Sequence, residues 1–136
     1  MAMDTQLASI NGIDEPALAR LVELFYGRVR RDSALGPIFN DAVDDWPDHF
    51  AKLSDFWSSV MLTSGRYKGN PVAAHRRHAN RITPELFDRW LAIWRATTDE
   101  LMTPPAAAAL QDKAERIAES LKLALFFKLP PRSDAA

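Results

Sequence analysis

Apolar residues recur at intervals of three and four along most of the chain, and that period predicts helices. After Asp14, the residues Leu18, Leu21, Val22, Phe25 and Val29 mark one buried helical face. Asp14 can cap this helix, and Pro16 falls in its first turn, where the missing N–H costs nothing. The helix is expected to end near Asp32, ahead of Gly36-Pro37. The segment Leu35-Gly36-Pro37-Ile38-Phe39-Asn40 reads as a turn that carries Ile38 and Phe39 inward. A second helix is predicted after Asp44 or Asp45, with Pro47 in its first turn. Its apolar positions are Phe50, Leu53, Phe56, Trp57, Val60 and Met61. His49, four residues before Leu53 and eight before Trp57, shares or borders that inward stripe. An unpartnered polar ring would be costly there.

Gly65 and Gly69-Asn70-Pro71 interrupt the pattern, leaving room only for a short helical turn around 72–76. Thr83-Pro84-Glu85 starts a further helix, with Phe87, Trp90, Leu91, Trp94 and Leu101 on its apolar face. Thr103-Pro104-Pro105 separates it from the last helix, whose inward set is Leu110, Ala114, Ile117, Leu121, Ala124 and Leu125. Lys128 to Pro131 stops that helix. No segment sustains an alternation of period two, so the chain is expected to be all-α, with four substantial helices and short extra turns.

Its 136 residues suit one domain. Residues 1–12 are expected to form an N-terminal extension, 13–129 the domain and 130–136 a flexible tail. With 17 basic and 18 acidic residues, the net charge of −1 provides no general field for nucleic acid or an anionic membrane. No run approaches the roughly 20 apolar residues of a membrane span, and the N-terminus lacks the pattern of a secretory signal, so a cytoplasmic protein is expected. Cysteine is absent, which excludes disulfides, thiolate metal sites and cysteine nucleophiles. Any cofactor must be held by nitrogen, oxygen and packing. The many aromatic residues are mostly explained by core packing alone.

Histidine is scarce, with only His49, His75 and His78. Small apolar neighbours in Asn70-Pro71-Val72-Ala73-Ala74-His75 can shield the His75 imidazole and leave one face open for a metal. His75-x-x-His78 also reads as two ligands of a small metal site, although no cysteine or obvious carboxylate supplies a third. Tyr26, Phe39, His49, Leu53, Trp57 and His75 together combine one axial ligand with polar groups set among apolar ones. A haem pocket requires that combination: a histidine on one face of the iron, and restricted space with hydrogen-bond donors on the other.

Several ordered motifs extend the match. They are Leu24-Phe25-Tyr26-x-x-Val29-Arg30-x-Asp32, Leu35-Gly36-Pro37-Ile38-Phe39-Asn40, Trp46-x-x-His49, Phe56-Trp57, Tyr67-x-Gly69-Asn70-Pro71-x-x-x-His75 and Ile82-Thr83-Pro84-Glu85-x-Phe87-Asp88-Arg89-Trp90-Leu91. From about Leu21 to Phe127, the chain resembles the truncated haemoglobins, most closely their third group. The resemblance implies a truncated globin-like 2-on-2 helical sandwich, with haem b between the helix bearing His49 and the short segment bearing His75. It implies His75 as the proximal iron ligand and Phe39 as an aromatic packed on the porphyrin. Tyr26 would be the main donor to bound ligand, with Trp57 and His49 beside it and Leu53 as an apolar wall. Arg76 and Trp90 complete the expected haem contacts.

The stretch from His75 to Ile82 departs from the family in being more basic and in carrying His78, a rival axial ligand. Arg76, Arg77 and Arg81 read either as partners of the haem propionates or as a solvated basic loop. The function implied is reversible binding of oxygen, nitric oxide and carbon monoxide. Turnover as a nitric oxide dioxygenase or in peroxidase-like chemistry would need a separate reductase, because no flavin or nicotinamide fingerprint is present. No residue is singled out as catalytic. The contrasting reading is a cofactor-free helical interaction module whose aromatic stripes form only core.

Overall fold

The computed structural model describes residues 12–126. Among them run six helices and no strand: α1 (Glu15–Arg31), α2 (Gly36–Ala42), α3 (Trp46–Leu62), α4 (Pro71–Arg76), α5 (Pro84–Leu101) and α6 (Pro104–Phe126). The expected extension before Gly12 and the tail after 129 lie outside the described residues. Helix starts follow one chemical pattern, a polar cap followed by proline. Asp14 accepts from the Ala17 N–H at 2.9 Å, Asp45 from Asp48 at 3.1 Å, Asn70 from Ala73 at 3.1 Å and Thr83 from Leu86 at 3.4 Å. Each cap satisfies an N–H that has no partner inside its helix.

The segment expected to be a simple turn is instead the seven-residue helix α2. Its start is stitched from outside. The Asp32 carboxylate accepts the Ala34 and Leu35 N–H groups at 3.0 and 2.9 Å, and its carbonyl accepts Gly36 N–H at 2.9 Å. A Cβ on Gly36 would stand 2.5 Å from the Arg30 carbonyl oxygen, so only glycine lets α2 begin against the end of α1. Phe39 is thereby carried against Tyr26, as the turn reading had placed it, and Ile38 is half-buried.

α1 is the central support, packing on α2, α3 and α5, while α5 lies along α6 and α4 rests on α6. All five predicted inward positions of α1 are buried. They meet Trp57 and Met61 from α3, Trp94 from α5 and Ala106, Leu110 and Ala114 from α6. The buried Trp94 indole donates to the Leu110 carbonyl at 3.1 Å, joining α5 to α6. A satellite cluster of Phe87, Ala118 and Leu121 lies under Val72 and Ile82, and it is this cluster that supports α4. Leu101 was expected to face inward but is 41% exposed. The next residue, Met102, leaves the helix and packs on the core in its place. No helix among the described residues is long and apolar enough to cross a membrane.

Candidate functional site

Tyr26 follows the fully buried Phe25 on α1 and is itself only 4% exposed. Its ring lies 5.8 Å from Phe39 and 6.2 Å from His49. Burial holds the phenol well above its ordinary range, with the Trp90 indole acting in the opposite direction. At neutral pH Tyr26 is therefore an un-ionised O–H with a proton to donate. Trp90 also makes an edge contact with Phe25 at 5.4 Å and stacks on Trp94 at 5.8 Å.

His49 stands on α3, half-buried, three residues after Trp46. Desolvation lowers its pKa, the Lys52 ammonium lowers it further, and the Asp48 carboxylate opposes both. The ring is thus neutral near pH 7, with one nitrogen donating and the other accepting. Leu53, one turn on, is half-buried against the core. Trp57 lies deeper, 1% exposed, stacked on Trp94 at 4.4 Å. Of the expected aromatic residues, Trp90 thus acts on the Tyr26 phenol, and Trp57 is seated against Trp94.

His75 occupies α4. Its Nδ1 lies 2.7 Å from the Pro71 carbonyl oxygen. A carbonyl can only accept, so Nδ1 carries the proton and Nε2 keeps its lone pair. Burial lowers the His75 pKa, the Pro71 carbonyl raises it and neighbouring His78 lowers it again. The Phe87 ring stacks beside His75 at 6.3 Å and 23°. A lone, neutral, correctly tautomeric imidazole is the result. No group of three or more His, Cys, Asp or Glu side chains that could hold a metal ion occurs among the described residues. A single neutral ring nitrogen is what a metal held chiefly by a macrocycle takes from a protein.

Arg81 is engaged by Asp41 at 2.9 Å, while Arg76 and Arg77 are exposed at the end of α4. Three neighbours of the site were not foreseen as part of it: Phe87 beside His75, Trp46 at 5.4 Å from His49, and Arg30, whose guanidinium lies 4.4 Å over the Trp46 ring. The spacing Trp46-x-x-His49 holds a signal for one of these contacts, since residues three apart share a helix face. The Arg30 contact comes only from packing.

No protein-family model matches the chain. It is 30% identical over 118 residues to a group 3 truncated haemoglobin of Campylobacter jejuni, covering 84% of this chain and 92% of that protein. The crystal structure of the group III truncated haemoglobin from Campylobacter jejuni superimposes with a TM-score of 0.77 at 30% identity, covering 88% of this chain and 96% of that one.

Proposed function

Because the chain belongs to the group III truncated haemoglobins, we propose that it holds haem b through His75 and binds oxygen, nitric oxide and carbon monoxide beside Tyr26. The observation that carries this reading is the 2.7 Å contact from His75 Nδ1 to the Pro71 carbonyl. It commits the proton to one nitrogen and frees the other for iron. Haem, when bound, supplies four ring nitrogens and an iron that can take a diatomic ligand on its open face.

The remaining roles belong to the protein's own side chains. Tyr26 keeps its proton and donates its O–H, with the Trp90 indole N–H as second donor in the role the resemblance gave to Trp57. Neutral His49 adds a donor that turns with its ring. Phe39 and Leu53 exclude water from the same space, which strengthens each of these hydrogen bonds. Exposed Arg76 and Arg77 would pair with the haem propionates, whereas Arg81 is already paired with Asp41. Two strong donors slow ligand release, which suits capture or redox turnover better than delivery. Turnover draws its electrons from a separate reductase.

Titrating the purified chain with haemin, followed by its Soret absorption, tests the proposal. A saturating one-to-one Soret band is expected, lost in His75→Ala and retained in His78→Ala. A folded chain that stays colourless in excess haemin is a helical module without cofactor, and the proposal fails.

A further inference from the structure

A chain of three contacts between four residues runs from the surface to the proposed ligand side of the site. The Arg30 guanidinium lies over Trp46 at 4.4 Å. Trp46 meets the His49 ring edge-on, at 5.4 Å and 88°, and His49 meets Tyr26 edge-on, at 6.2 Å and 81°. Arg30 is itself gripped twice by Asn40: its Nε donates to Oδ1 at 3.4 Å, and Nδ2 donates back to its carbonyl at 3.3 Å. Three helices converge here, with Arg30 near the end of α1, Asn40 in α2 and Trp46 opening α3.

A histidine on a helix can swing about two side-chain bonds, and the rings that meet His49 are those of Tyr26 and Trp46. Its orientation must come from its neighbours. Tyr26 and Trp46 both meet its ring, and Trp46 is itself held by Phe50 at 5.5 Å and by Arg30 on its face. We propose that Trp46, clamped by Arg30, is the positioning residue that keeps His49 turned toward Tyr26, and so sets how often His49 vacates the ligand side. This inference rests on the haem reading above for its functional meaning, but not for its geometry.

The test uses the full chain loaded with haem and saturated with carbon monoxide. Wild type should give a nuclear Overhauser contact between the His49 and Tyr26 rings and one dominant C–O stretching band. In Trp46→Ala the contact should be lost and the band should split. Arg30→Gln should raise the displaced population about two- to fivefold, the change an exposed cation–aromatic contact supports, and Arg30→Lys should restore it. In a His49→Ala background, Trp46→Ala should no longer alter the band. An unchanged ring contact in Trp46→Ala overturns the inference, as does a band change that persists without His49. A chain that takes up no haem refutes the proposed function alone. The ring contact in the haem-free chain, wild type against Trp46→Ala, then decides the positioning role separately.

Discussion

The two histidines that matter are supported in opposite ways. His49 stands on α3, a seventeen-residue helix packed along α1, within a network of rings that includes Tyr26, Phe39 and Trp46. His75 stands on α4, six residues long, with no buried residue of its own and support from the satellite cluster and α6. One side is held by long-range aromatic packing, the other by local chemistry: an Asn70 cap, a proline and one carbonyl. A wall that selects among small ligands must keep several side chains in register, which requires a stiff frame. In the proposed role of axial ligand, His75 would need only the right nitrogen free, and a single helical turn is enough for that.

This contrast can be broken or sharpened in three steps of decreasing size. Trp94→Ala removes the ring on which both Trp57 and Trp90 stack. It should cost about 3–5 kcal/mol of stability in denaturant unfolding, with loss of the near-ultraviolet signal of the whole aromatic frame. A cost below 1 kcal/mol, on the order of a surface substitution, would show that the frame is not one packed unit. Gly36→Ala forces a methyl group against the Arg30 carbonyl, 2.5 Å from where its Cβ would stand. Overpacking of this kind costs about 1–3 kcal/mol, and the shift of α2 should also weaken the Phe39 contact with Tyr26, read by ring-proton shifts. Asn70→Ala removes only the cap of α4, worth about 1 kcal/mol. Amide exchange should quicken at 73–76 while the amides of α1 and α5 keep their protection. Uniform quickening would mean that α4 unfolds with the rest, and the contrast between the two supports would disappear.

How far the sequence disclosed this arrangement follows the same division. The capped helix starts at Asp14, Asp45 and Thr83 were legible because cap and proline lie within two residues of each other and act on their own backbone, whereas Asn70 read only as part of a break. The inward stripe of α1 was legible because its period survives packing intact. α2 was not, since Gly36 and Pro37 are turn signals and the helix is started by Asp32 and by close approach to Arg30. Leu101 repeats the spacing of the buried stripe, yet Met102 fills its place from beyond the helix end, which no periodicity encodes. At the proposed site, the apolar neighbours of Tyr26 and His75 in the sequence pointed to sheltered rings, and the structure buries Tyr26 and half-buries His75. The stacking of Trp57 and Trp90 on the same Trp94 ring was not legible, because all three simply lie on apolar faces in the sequence. Trp46 carried a signal in its spacing from His49, but the Arg30 contact was hidden because it joins the ends of two helices.

In the haem site proposed above, the Pro71 carbonyl would have a consequence for the chemistry of His75 Nε2. By accepting the Nδ1 proton at 2.7 Å it draws positive charge from the imidazole and makes the opposite nitrogen a stronger electron donor. Because that oxygen belongs to the first residue of α4, just after the Asn70 cap, donor strength is tied to the winding of one helical turn. Any strain that lengthens the contact weakens the electron push from His75, so a backbone turn serves as the electronic trim of the site.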